Sequence, residues 1–352
     1  MRSNVVMGSY ARRIFVGVDV HVSTWHVTVR TTEMVVGQAT IGGRWSELEK
    51  VVSRWRPEQV VIVYEAGFSG FWLYDEVVSW GGECIVVPPS RIPIESGNRI
   101  KTDRRDSAKL AQLAARSELP RVWVPSPQQR QEREVLRERR RLIRQIRQVQ
   151  CQIKALLHCY GLEVPCRAGR WSGVFESRLW QLRFSSRFMQ ESFARLLERY
   201  QFLRQQVAAQ TKLVKVLADQ EGYREKVACL VSLPGVGVLT AMELLVELGD
   251  IERFTKAEQV AAYVGLTPSE YSSGGSVRRG HISRCGKAAV RSRLVEASWI
   301  AIRFDHELAG VYQRIRARQG GKRAIVAVAR RLLLRIRRVW LDGRRYVPAT
   351  AA

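Results

Sequence analysis

Ile14-Phe-Val-Gly-Val-Asp-Val20 is an apolar run bounded by polar residues, and it reads as a β-strand that ends beside an acid, Asp19. Trp25 to Arg30 and Met34 to Ile41 extend it as a meander, and Trp45 to Trp55 follows with helical spacing. Val60-Val-Ile-Val-Tyr64 then reads as a buried central strand that runs into Glu65. Phe71 to Trp80 reads as a helix, Cys84 to Val87 as a strand and Arg105 to Arg116 as a helix, with Pro88, Pro89, Pro93 and Gly97 breaking the region between the last two. Three strands followed by alternating helices and strands predict an α/β domain in the order of a ribonuclease-H-like mixed sheet.

Outside this first third the chain changes character. The 352 residues hold 58 Lys and Arg against 33 Asp and Glu, a net charge of +25. Residues 1–120 have 15 basic against 13 acidic residues, 121–222 have 20 against 9, and 223–352 have 23 against 11. A positive field over two thirds of the chain attracts a polyanion and releases its counterions, so nucleic acid is the expected partner. A membrane is not expected, because the basic helices lack a concentrated Trp/Phe/Leu face and no apolar run reaches a spanning length. With 46% apolar residues the chain can bury real cores, which excludes wholesale disorder. No secretory signal opens it, and six cysteines without a C-x-x-C pair imply reduced thiols and a soluble, cytoplasmic protein.

Pro120, Pro125 and Pro127 mark a boundary, so domains are expected over 1–126, 127–222 and 223–352. In the middle region Val135, Leu142, Val149 and Leu156 recur every seven residues, with Ile146 and Ile153 at the alternate seam positions and Arg139 interrupting the series. A second stripe runs through Leu196, Tyr200, Leu203, Val207, Val214 and Leu217, so the two stripes form either an antiparallel hairpin or a dimer seam. Between Arg130 and Arg147 eight arginines stand against three glutamates, and Arg137, Arg140, Arg141 and Arg144 are expected to face phosphates. The last third is mainly helical. Leu233-Pro-Gly-Val-Gly237 joins two helical patterns as a helix-hairpin-helix-like loop, where Gly235 and Gly237 leave backbone N–H groups open to a phosphate.

Two constellations carry chemistry. Asp19 and Glu65 end strands of one sheet, and Asp103 and Asp106 open a helix on one face of it, so the four carboxylates are placed to converge. Converging carboxylates repel unless cations neutralise them, and an oxygen-only set suits Mg2+ or Mn2+ held together with water and phosphate oxygens. Singly, Asp103 and Asp106 also suit a helix N-terminus and Asp19 a turn, whereas Glu65 at the end of a buried strand needs a partner. The second constellation is Tyr271-Ser-Ser-Gly-Gly-Ser-Val-Arg-Arg-Gly280 with His281-Ile-Ser-Arg-Cys-Gly286, where Arg278, Arg279 and Arg284 stand near serines in a glycine-rich loop.

Gly-Val-Asp19, Glu65-Ala-Gly, Asp103-x-x-Asp106, Leu-Pro-Gly-Val-Gly237, Gly265-Leu-Thr-Pro268, Tyr271-x-Ser273-Gly274 and Gly280-x-Ile-Ser-x-x-Gly286, in this order, resemble the DEDD transposases of insertion sequences, which are kin to the Piv pilin-gene invertase and act as bridge-RNA-guided recombinases. The resemblance spans almost the whole chain. It implies a RuvC-like first domain whose metal tetrad is Asp19, Glu65, Asp103 and Asp106, and a nucleophilic serine matched by Ser273 rather than by Ser272 or Ser276. It further implies DNA as substrate, a guide RNA, a prokaryotic, nucleoid-associated setting and a homo-oligomer in which different subunits complete one site. The chain departs from the family's Glu-Ala-Thr-Gly at Glu65-Ala-Gly-Phe, and from the Ala that usually follows the last acid at Ser107. Two other readings of the same residues are a metal-only nuclease of the junction-resolvase kind and a non-catalytic nucleic-acid-binding coiled-coil protein.

Overall fold

The structure is a computed structural model that describes residues 13–93, 102–163, 171–270 and 279–347. The chain divides into two units, Met1–Pro125 and Ser126–Ala352. Residues 127–222, which the sequence sets apart as a middle region, thus share the second unit with the C-terminal third.

The first unit runs β1 (Ile14–Val20), β2 (Thr24–Arg30), β3 (Val35–Gly42), α1 (Trp45–Val52), β4 (Val60–Glu65), α2 (Trp72–Trp80), β5 (Glu83–Val87) and α3 (Asp103–Ala115). The strands form one mixed sheet in the order β3-β2-β1-β4-β5, antiparallel from β3 to β1 and parallel from β1 to β5. This mixed order is compatible with the ribonuclease-H-like expectation. Alternation along the strands divides the buried residues between two faces. Ile14, Val16, Val18, Val60, Ile62 and Tyr64 pack with Leu48, Val52, Leu73 and Val77 of α1 and α2. Phe15, Val61, Val63, Ile85 and Val87 pack on the opposite face against Leu110 and Ala114 of α3. At roughly 1.5–3 kcal/mol for each fully buried aliphatic side chain, both helical layers are firmly held to the sheet.

Gly17 sets how closely α3 approaches that second face. A Cβ at Gly17 would collide with the Ser107 carbonyl oxygen and lie 2.6 Å from Ala111 N. Only glycine lets the first turns of α3 lie directly on β1.

The second unit is mostly helical: α4 (Pro127–Cys159), α5 (Gly173–Gln181), α6 (Arg187–Ala218), α7 (Glu221–Val231), α8 (Val238–Leu248), α9 (Ala257–Val264), the short strands β6 (Pro268–Glu270) and β7 (Arg279–Ile282), then α10 (Ala288–Phe304), α11 (His306–Gln319) and α12 (Gly321–Asp342). Pro127 occupies the first turn of α4 and Ser126 Oγ accepts from Gln129 N, so the proline boundary is also a capped helix start. Helices α4 and α6 pack antiparallel within the chain. Gln210 Nε2 donates to Val135 O at 2.9 Å near one end, and Arg199 bonds Gln152 at 2.5 Å near the other. Arg139, which interrupts the heptad stripe, reaches across this seam to Thr211 Oγ1 at 2.8 Å. Val149, Ile153 and Leu157 of α4 bury against Phe193, Leu197, Tyr200 and Leu203 of α6. Leu136 and Leu197 are buried rather than their neighbours Val135 and Leu196, as expected where straight helices drift against a seven-residue repeat.

Helices α7 to α12 enclose one core to which the ends of α4 and α6 contribute Leu136, Val214 and Ala218. Its widest contributor is α12, whose Ile325, Val328, Leu332, Leu333 and Ile336 form the apolar face of the basic tail. Among the described residues no helix is long and apolar enough to cross a membrane.

Candidate functional site

Asp19 and Glu65 lie at the carboxyl ends of neighbouring parallel strands. The β1/β4 register pairs Val18 with Tyr64, so the two acids follow as the next residues of each strand. By alternation both belong to the face that α3 covers. Across the antiparallel pair Asp19 stands opposite His26. Asp103 and Asp106 occupy the first turn of α3, whose Thr102 cap accepts from Arg105 N. Sheet edge and helix N-terminus bring Asp19 and Asp103 together, with Asp106 near enough to act on Asp19, where the helix dipole favours negative charge; Glu65 shares the sheet face but does not join the described cluster.

Two histidines that no sequence motif singles out complete this geometry. His21 Nε2 lies 3.2 Å from Asp19 Oδ2 and 3.5 Å from Asp103 Oδ2. His26 Nε2 lies 3.6 Å from Asp103 Oδ2, and Thr40 Oγ1 holds its Nδ1 at 3.0 Å. The Trp25 indole N–H donates to His21 O at 3.0 Å and fixes the turn that carries His21. The signal in the sequence is the Asp-x-His spacing at a strand end. One ligand atom each from Asp19, His21 and Asp103 all lie within 4.8 Å of one another, a spacing and a hard-donor chemistry that fit a divalent cation. Burial pushes the Asp19 carboxyl above the usual carboxylate range; His21 opposes that shift, and Asp103 and Asp106 add to it. An acid so placed gains from a cation.

A polar relay fixes the first turn of α3. Ser107 Oγ, buried, lies 2.9 Å from Thr28 Oγ1 on β2 and donates to Arg104 O at 3.0 Å. Gln38 of β3 donates to Thr28 Oγ1 at 3.2 Å and accepts from Arg104 Nε at 2.6 Å. The hydroxyl of Ser107 thus has a matched partner.

In the second unit the expected nucleic-acid residues separate. Arg140 binds Glu243 and, at 3.0 Å, Glu247, both buried acids of α8. Arg137 lies 3.7 Å from Glu247 as well as from Glu134, and Arg141 pairs with Glu134 and Glu138 on its own helix. Arg133, in the same arginine run, is buried and donates to Val246 O and Glu247 O, each at 2.9 Å. Much of the arginine run is therefore turned inward, because α8 supplies acids that no local pattern in α4 reveals. Arg144 is exposed.

Lys287, at the start of α10, completes the set around Glu247 at 3.0 Å. Burial alone would raise the Glu247 carboxyl, but Lys287, Arg140 and Arg137 hold it down at about 2.

The Leu233–Gly237 turn joins α7 to α8. Gly235, at φ +82°, sits against α10, where a Cβ would strike Ala297 O. Gly237 is the N-cap of α8, which no side chain caps. Exposed Ile300 and Phe304 border the same hollow.

Ser273, its neighbours Ser272 and Ser276, and Arg278 lie outside the described residues, as does the Arg279 side chain. The described flanks are pinned: Glu270 of β6 pairs with Arg279 of β7, Ser283 N donates to Thr267 O at 2.9 Å, and Arg291 holds Val264 O at 2.7 Å. Arg284 is exposed, with a left-handed backbone at φ 54°.

Family models match this sequence in both units. A DEDD transposase family model of the IS110 type, described as transposase, matches residues 16–161. A second, described as the transposase IS116/IS110/IS902 family, matches residues 227–313. The Sinorhizobium fredii protein y4qE is 34% identical over 245 residues, covering 69% of this chain and 58% of its own length. The transposase for insertion sequence element IS1533 of Leptospira borgpetersenii is 29% identical over 68% of this chain and 71% of its own. A second Sinorhizobium fredii protein, y4rJ, is 29% identical over 91% of this chain and 90% of its own. With the first model on the acid-bearing sheet and the second on the helices that flank the Ser273 segment, the chain belongs to the DEDD-type insertion-sequence transposases of the IS110/IS116/IS902 family.

Proposed function

We propose that the protein is a transposase that cuts and exchanges DNA strands of an insertion sequence through a phosphoserine intermediate. The observation that supports this reading is the meeting of Asp19 and Asp103 at the carboxyl edge of the sheet. Asp19, Glu65, Asp103 and Asp106 would hold Mg2+ or Mn2+, which supplies charge neutralisation at the scissile phosphate and at the departing oxygen.

Ser273 Oγ attacks the phosphorus and gives up its proton, the bond from phosphorus to the 3′ oxygen breaks, and that oxygen leaves as a 3′-hydroxyl. The protein is then joined to the 5′ end by a phosphoester that keeps the bond energy. A 3′-hydroxyl from an exchanged strand attacks the ester, and Ser273 is released with its proton restored. No nucleotide cofactor is required. Arg278, Arg279 and Arg284 flank the serine in sequence and would hold the phosphate. The basic faces, Arg144 among them, and the Gly235–Gly237 turn serve as platforms for the DNA and for a guide RNA, and the working form is a homo-oligomer.

The test is trapping with denaturant after incubation with the element's end DNA and the RNA of its non-coding segment. Protein covalently attached to DNA is expected from the wild type and from Ser272→Ala, and none from Ser273→Ala. Attachment that survives Ser273→Ala places the nucleophile elsewhere. Cleaved DNA without attached protein points to water as the nucleophile and to a metal-only nuclease. Strand exchange untouched by Asp103→Ala would leave only nucleic-acid binding.

A further inference from the structure

The family's acids are all oxygen donors, but the described cluster is not. His21 stands just beyond the end of β1, and its Nε2 faces the two carboxylate oxygens, Asp19 Oδ2 at 3.2 Å and Asp103 Oδ2 at 3.5 Å. Donors that share one first-row cation at about 2.0–2.2 Å are separated by roughly 3–4.4 Å, and both His21 separations, 3.2 and 3.5 Å, fall in that range. The backbone that carries the ring is fixed, since the Trp25 indole holds the His21 carbonyl at 3.0 Å and Trp25 itself is fully buried. His26 differs: its Nδ1 is engaged by Thr40 Oγ1, and among the described acids its Nε2 meets Asp103, at 3.6 Å. That is the arrangement of a group that orients a ligand from behind.

We infer that His21 is a nitrogen ligand of the divalent cation held by Asp19 and Asp103, and that it biases the site toward Mn2+ over Mg2+. The physical basis is donor preference. Mg2+ takes oxygen donors in a strict octahedron and gains little from imidazole, whereas Mn2+, although also an oxygen-seeking ion and the weakest of the first-row series, accepts an imidazole nitrogen more readily than Mg2+ does. His26 orients Asp103. This inference rests on the acid-held cation proposed above, and the two are separable by experiment.

The experiment uses the full chain with Mn2+ alone as probe. Pulsed electron paramagnetic resonance reads nitrogen coupling to bound Mn2+, and calorimetric titration reads Mn2+ and Mg2+ affinities. Nitrogen coupling is expected in the wild type and in His26→Ala and is absent in His21→Ala. In His21→Ala the Mn2+ affinity falls about tenfold while Mg2+ affinity changes less than about twofold. The His21 side chain is 47% exposed, so its truncation leaves the core intact, and far-ultraviolet circular dichroism checks this. Mn2+ that binds the wild type without nitrogen coupling, and is lost in Asp19→Asn, overturns the inference and leaves the acid-held cation standing. Coupling lost in His26→Ala instead of His21→Ala also overturns it. Mn2+ binding unchanged by Asp19→Asn removes both the inference and the reading beneath it.

Discussion

Ser107 and Thr28 share a buried hydrogen bond of 2.9 Å that joins the first turns of α3 to β2, and so fixes where Asp103 and Asp106 stand relative to Asp19. The pair is half of a relay: Thr28 also accepts from Gln38, and Ser107 also donates to Arg104 O. Ser107→Ala leaves Thr28 one partner and is expected to cost about 1 kcal/mol. Thr28→Val leaves the Gln38 amide without its acceptor and is expected to cost about 1–2 kcal/mol. The double variant should cost less than the sum by about 0.5 kcal/mol or more, read from urea unfolding. Strict additivity would mean that the two hydroxyls act independently.

Gly17→Ala tests the close approach of α3 to β1. The new methyl would meet the Ser107 carbonyl oxygen and Ala111 N, both backbone atoms that cannot rotate aside. A loss of about 1–3 kcal/mol is expected, together with weaker Mn2+ binding because the helix carrying Asp103 is pushed off the strand carrying Asp19. Unchanged Mn2+ affinity at reduced stability would show that the acids do not depend on that approach.

The amino-acid sequence makes part of this arrangement legible and hides the rest, for physical reasons. The sheet is readable through its β-branched runs: Ile14–Val20 and Val60–Glu65 are strands whose acids fall at their ends because buried interiors exclude charge. The acids of α3 are readable for a similar reason, since a helix start tolerates them. His21 escapes such a reading because an exposed histidine in a turn has no periodic signature, and only Trp25 and the two carboxylates give it a role. Local composition places Arg140 toward solvent, yet Glu243 and Glu247, more than a hundred residues along, turn it inward, and the carbonyls of Val246 and Glu247 hold Arg133 buried beside it. Local pattern carries no information about such distant pairing. The strands β6 and β7 are short and half polar, so their pairing is equally silent.

Glu247 gives the second unit an acid-sensitive lock. Its carboxyl is held at about 2 against an ordinary value of 4.5. A depressed folded-state value means that the contribution is fully present above about pH 4.5 and is lost as the pH falls toward 2. The loss expected over that window is about 3 kcal/mol of second-unit stability. Glu247→Gln should be less stable at neutral pH and should lack this part of the acid dependence, measured as urea midpoints at stepped pH. A variant with the wild-type acid slope would show that other carboxylates control it.

Arg140 and Arg144 lie on the same helix and are expected to respond oppositely to removal. Arg140 is the partner of Glu243 and Glu247, whose side chains are 5% and 3% exposed, so Arg140→Met leaves buried charge without its counterion. A destabilisation of about 3 kcal/mol or more follows, while the salt dependence of DNA or RNA binding by the folded fraction stays as it was. Arg144 is exposed, and Arg144→Ala should leave stability within about 0.5 kcal/mol. Its effect appears in binding: the slope of log affinity against log salt falls by about one, because one phosphate contact and its released counterion are lost. Nucleic-acid titrations over a range of salt, paired with unfolding curves on the same preparations, separate the two. A stable Arg140→Met that lowers the salt slope would return Arg140 to the phosphate-facing surface and assign the acids of α8 to their other partners, Arg137 and Lys287.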